Sequence, residues 1–186
     1  LLNYEVINMF DKEYSFRGSH AEKVTKLTAE FDKSGNKLFA RNYDVYLIAP
    51  IVGFLYGEKA EIDKEGDKNI KPTKIFPDIL MRNKDDLLFN YRLIMLLDKN
   101  NESNFDERVN KAFRYYESDE AISDELIYDQ YVLGGVDKIY EKIFDNAKNP
   151  DDYLKNLFIF VDEIENRYNS KIDKDSIIDL CKLAKS

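Results

Sequence analysis

A chain of 186 residues suits one domain, and 13 Tyr and 12 Phe supply ample material for a core. Seven Gly and four Pro are too few for a turn-rich sandwich or barrel, or for a disordered chain, while abundant Leu, Ile, Lys, Glu and Asp favour helices. The net charge of −8 lies wholly in the second stretch, since residues 1–100 carry 16 acids and 16 bases and residues 101–186 carry 20 and 12. Such a balance repels a phosphate backbone and argues against general nucleic-acid binding, leaving only the neutral half for a basic patch.

Residues 1–16 alternate weakly, as a strand or a loose arm would. Arg17-Gly18-Ser19-His20 has the look of a purification-tag fragment but runs straight into helical sequence, and it is read as native. His20 to Asp32 is expected to be a helix capped by Ser19, with Val24, Leu27 and Phe31 on one face. Ser34-Gly35-Asn36 ends it.

Residues 44–57, from Asp44 to Gly57, contain no charge between Asp44 and Glu58. The run falls short of the roughly 20 apolar residues a membrane span needs. It reads as a helix buried on most sides, capped by Asn42 or Asp44 and ended by Gly57 in the left-handed conformation. Pro50 predicts a kink or a late start, because it removes one backbone bond and crowds the preceding turn. Gly53 lets another helix come close.

Glu58 to Thr73 reads as a solvated loop of alternating charge, and Pro72 to Met81 as a short cap on the core. Asn83 to Asp98 is a strong helix, with Asn83 as cap, Asp85 and Asp86 in the first turn, and a broad apolar face from Leu87 to Leu97. The next helix opens at Ser103, with Phe105, Val109, Ala112, Phe113 and Tyr116 expected inside. Asp119 to Phe144 is helical on pattern but interrupted at Leu133-Gly134-Gly135, where each glycine costs about 1 kcal/mol against alanine, a cost that points to a break or to a surface where something comes close. Asn149-Pro150 starts another helix and Asp173 the last, together an αα-hairpin. The fold class expected is all-α: a bundle of about seven helices around the buried segment 44–57. Residues 1–148 form the core domain with its arm, and residues 149–186 the hairpin, packed on the core or used for docking a partner.

The chemistry-bearing residues are few. His20 is the one histidine. Cys181, the one cysteine, sits on an apolar face as a core thiol and excludes an internal disulfide, which fits a reducing cytosol. No signal-peptide pattern opens the chain. No Cys/His spacing suits a metal, and Gly134-Gly135 lacks the strand and lysine of a phosphate loop. Asp85-Asp86 and Asp151-Asp152 are explained by capping. Asp124, Glu125 and Asp129 have the spacing of a metal-dependent nuclease group, but a solvated acidic face accounts for them better. No catalytic residue, metal or cofactor is assigned.

Two surfaces remain. Tyr128, Tyr131, Gly134 and Gly135 mix aromatic and glycine residues as a protein–protein contact does, although tight packing of the pair against Gly53 explains the same pattern. Arg17, Arg41, Lys71, Lys74 and Arg82 would carry a DNA- or nucleotide-sensing role.

The run Phe39, Val45, Ala49, Gly53, Gly57, followed by a loop, a Phe76 segment, a helix opened at Asp85-Asp86-Leu87, and Tyr131-Val132-Leu133-Gly134-Gly135-Val136, resembles the small helical proteins that accompany Dnd-type DNA phosphorothioation and related bacterial phage-defence systems. The likeness spans residues 37–144, and Pro50 departs from it. It implies a cytoplasmic, non-enzymatic accessory subunit of a defence complex, bound to a larger protein such as an ATPase or nuclease.

Overall fold

The computed structural model describes residues 9–63, 70–116 and 118–168. Among them the chain is mostly helical, with seven α-helices and one small sheet. They run α1 (Gly18–Thr28), α2 (Asn42–Tyr56), α3 (Pro77–Arg82), α4 (Lys84–Leu97), α5 (Phe105–Phe113), α6 (Ala121–Phe144) and α7 (Pro150–Tyr168). The strands are β1 (Tyr14–Phe16) and β2 (Thr73–Ile75), antiparallel, with Tyr14 opposite Ile75 and Phe16 opposite Thr73. A single 3-10 turn, Met9–Asp11, precedes β1. The chain forms two compact units, residues 1–141 and 142–186. No helix among the described residues is long and apolar enough to cross a membrane.

In the first unit α2 packs against α1, α4 and β2, and α4 lies along α5. The helix α2 buries Tyr43, Val45, Tyr46, Ala49, Val52 and Gly53, yet Ile48 stands exposed on its outer side. Seven of its fifteen residues are buried, seven part-buried and Ile48 alone exposed. The helix runs unbroken through buried Pro50, because packing of the residues on either side holds the one turn that lacks a donor. Gly57 ends it at φ 68°, as expected. Neither Asn42 nor Asp44 caps its start. Arg41 holds the N-cap position, and its guanidinium bonds Asp44 at 2.7 Å instead.

The element buried on every side is the middle of α6, where residues 131–136 are all inside. The predicted break at Gly134-Gly135 is absent, and α6 is continuous for 24 residues. The glycines serve closeness rather than flexibility. A Cβ on Gly135 would overlap the Ala49 carbonyl oxygen of α2, and one on Gly53 would overlap the Tyr131 carbonyl oxygen of α6. The two backbones touch without side chains between them.

Beside this crossing, Phe10, Tyr46, Tyr91 and Tyr128 form an aromatic core, with Tyr91 and Tyr128 ring centroids 5.6 Å apart. Burial raises the phenols of Tyr46, Tyr91 and Tyr128 far above their ordinary value, so they stay neutral.

Two further expectations change. Phe105 and Phe113 of α5 are exposed, not inward, while Arg108 is buried. Its guanidinium donates to the carbonyls of Leu96, Glu102 and Ser103, so it satisfies acceptors left open at the end of α4 and in the turn after it. Ser103 does not open α5; Asn104 does, its side chain accepting from Glu107 N–H at 3.2 Å. Asn83 holds the N-cap position of α4, but its side chain donates to the Ile79 carbonyl of α3.

In the second unit, Phe144 packs on Tyr153 at 4.6 Å between ring centroids, Asn156 donates to the Ile143 carbonyl, and Lys142 pairs with Glu163 at 2.6 Å. Asp152 accepts from the N–H groups of Lys148 and Asn149 at the start of α7. The expected last helix, with Cys181, lies outside the described residues.

Candidate functional site

The aromatic–glycine step of α6 is interior. Tyr128 is fully buried and Tyr131 is 4% exposed. Tyr131 donates its hydroxyl to Asp98 Oδ2 at 2.8 Å, and Lys59 lies over its ring at 4.5 Å. Burial, then the bond to Asp98, raises its phenol above the ordinary value. Gly134 faces the backbone of Glu58 and Lys59. Tyr128, Tyr131, Gly134 and Gly135 thus pack the core and do not form a contact surface, because the closeness that glycines permit is spent inside the molecule.

The five candidate cations of the neutral half are all exposed. The β1–β2 ladder and a bond from the Asn42 side chain to the Lys74 carbonyl draw Arg17, Arg41, Lys71 and Lys74 toward one end of the sheet. Arg82 lies at the far end of α3. Three of the five already face acids: Arg41 with Asp44, Lys74 with Glu13 and Arg82 with Asp78. The acids spaced like a nuclease group diverge. Asp124 is 1% exposed and pairs with Lys111 at 2.9 Å, whereas Asp129 accepts from the Tyr14 hydroxyl at 2.6 Å.

A surface that sequence reasoning missed lies on α4. Its inner stripe, Leu87, Tyr91, Ile94 and Met95, is buried. A second stripe, Leu88, Phe89, Arg92, Leu93 and Leu96, lines an open apolar cleft of about 460 Å³ whose far wall is Phe113 of α5. Phe89 is 65% exposed and Phe113 56%. Phe89 is also the ridge of a second cleft, about 430 Å³, walled by Leu47, Ile48 and Ile51 of α2. A helix that is apolar on two sides gains from a neighbour on each, and among the described residues lining this cleft Phe113 is the one from outside α4.

The chemistry of the cleft centres on Arg92. Its guanidinium lies over the Phe113 ring, 5.6 Å from the centroid, and its Nε is buried without a hydrogen-bond partner among the described residues. No acid pairs with it there, although Asp85 lines the same cleft. An arginine with one nitrogen shut off from water beside apolar walls attracts a carboxylate more strongly than a fully solvated one does. The signal legible in advance was the width of the α4 apolar face, which exceeds what one buried stripe uses.

In the second unit, α7 leaves Leu154, Phe158, Ile159 and Val161 exposed. Compared with known proteins, the chain matches no family model, no curated protein sequence and no solved structure.

Proposed function

We propose that this chain is a non-enzymatic accessory subunit that docks a larger protein on the paired clefts either side of Phe89. The observation that carries the reading is the juxtaposition of two exposed aromatic walls, Phe89 and Phe113, with an unpaired guanidinium between them. Large aromatic residues around an arginine are the composition of energetic centres in interfaces. The partner segment that fits presents apolar side chains to both troughs and a carboxylate to Arg92. The resemblance to helical proteins of DNA phosphorothioation and phage-defence systems suggests the setting: a cytoplasmic bacterial complex containing an ATPase or nuclease. The alternative, DNA or nucleotide sensing by Arg17, Arg41, Lys71, Lys74 and Arg82, has weaker support, since three of these cations are answered by neighbouring acids.

The test is affinity purification of the tagged full chain with its genomic neighbours co-expressed, in wild-type form and as Phe89→Asp and Arg92→Glu. Retention of one neighbour by the wild type, lost in both variants at unchanged helical circular dichroism, supports the proposal. Retention unaffected by both substitutions, or no neighbour retained, overturns it. Binding of duplex DNA that weakens steeply with salt would favour the alternative.

A further inference from the structure

A cavity of about 360 Å³ opens between the β1 segment, the start of α1, the segment after α2 and the middle of α6. Its charged walls are Glu13, Arg17 and Asp129, with His20 beside them, and its apolar ones Ile62 and Leu133. The charge of Glu13 is answered by Lys74 at 2.9 Å. The other polar groups are not fully answered.

Asp129 accepts one hydrogen bond, from the neutral Tyr14 hydroxyl, and makes no ion pair among the described residues. Burial raises its carboxyl above the ordinary value, and the Tyr14 bond pulls the other way. Arg17 lines the same cavity, exposed, with no acid or acceptor on its guanidinium there. His20 is 4% exposed. Its Nε2 lies 3.2 Å from Asp137 Oδ1 but off the line of a good hydrogen bond, and its Nδ1 has no partner among the described residues. Both ring nitrogens are closed off from solvent, so His20 walls the cavity without offering it a polar atom.

A carboxylate with no ion pair and a guanidinium with no acid on it, both among the described residues, therefore line one small, partly apolar space. Arg17 and Asp129 do not satisfy each other. A molecule that satisfies both carries a positive and a negative end. We propose that this cavity binds a free zwitterionic α-amino acid with an aliphatic side chain: its ammonium donates to Asp129, its carboxylate meets Arg17, and its side chain lies against Ile62 and Leu133. This assignment stands apart from the docking reading and uses none of its residues.

The test is isothermal titration of the full chain with L-leucine, L-leucinamide and isocaproate, which carry both charges, the ammonium alone and the carboxylate alone. The expected result is saturable one-to-one binding of L-leucine, with each single-charge analogue weaker by about tenfold or more, the equivalent of about 1.4 kcal/mol. Arg17→Ala should reduce L-leucine to the affinity of L-leucinamide and leave L-leucinamide unchanged. Asp129→Asn, which keeps an acceptor for Tyr14, should abolish binding of both. Absence of saturable heat with L-leucine overturns the proposal. So does equal binding of the three probes, or L-leucine affinity that Arg17→Ala does not alter. Arg17 is exposed, so that arm of the test survives even where Asp129→Asn fails to fold.

Discussion

Gly135→Ala tests the contact on which the first unit is built. In an ordinary exposed helix this change stabilises by about 1 kcal/mol. Here the new methyl would overlap the Ala49 carbonyl oxygen, stand 2.5 Å from that carbonyl carbon and 3.0 Å from the Ala49 Cα. Carbon atoms rest about 3.5–4.0 Å apart, so α2 and α6 must separate by about 1 Å. A gap of that size forfeits up to about half of each dispersion contact along the crossing. The obstructing atoms are helix backbone, which cannot turn aside as a side chain can, so the overpacking cost belongs near the upper end of the usual range, about 3 kcal/mol. Helix propensity returns about 1 kcal/mol, leaving a net loss of about 2 kcal/mol. For a chain of this size that lowers the thermal midpoint by about 4–8 °C, read by circular dichroism. Gly134→Ala meets the backbone of Glu58 and Lys59 instead, a connecting segment that can shift, and should cost about half as much. An unchanged or raised midpoint for Gly135→Ala would refute the close approach of α2 and α6.

Other outcomes follow from buried charge. Lys111→Met leaves Asp124, 1% exposed, without the ammonium that now lies 2.9 Å away, and should destabilise by about 3–5 kcal/mol in urea unfolding; Lys111→Met combined with Asp124→Leu should recover most of the loss. A loss confined to the single variant identifies an uncompensated charge, and an equal loss in the double variant would instead point to lost packing. Asp129→Asn should make the protein more stable at neutral pH. Its carboxyl is raised in the folded state by burial, so wild-type stability from this group is fully present below the unfolded carboxyl value and is lost as pH rises through the higher folded value. The advantage of Asp129→Asn should therefore shrink as the pH falls through the carboxylate range, and a constant advantage in unfolding curves at pH 4 and pH 7 would contradict it.

Periodicity and punctuation alone determined the helical class and most helix positions. Charge-free residues 44–57, the apolar spacing of residues 84–97 and the Asn149-Pro150 start all correspond to observed helices, since amphipathic pattern and turn chemistry are local properties of the chain. Gly57 as the left-handed end of α2 was legible for the same reason. The interior and exterior of those helices were not. Which face of α5 turns inward depends on α4, whose open carbonyls claim Arg108 and push Phe105 and Phe113 outward. Gly134 and Gly135 read locally as a break or a close approach, with Gly53 as the partner of the pair; the tertiary structure decides for the close approach and adds the Ala49 carbonyl as the group that is met. The cavity around Asp129 is further still from sequence reading, because its groups come from residues 13, 17, 20, 62, 129 and 133. Local pattern specifies how each helix is built; the identity of what meets it, and therefore which side chains are left facing an opening, is set by contacts between residues far apart in the chain.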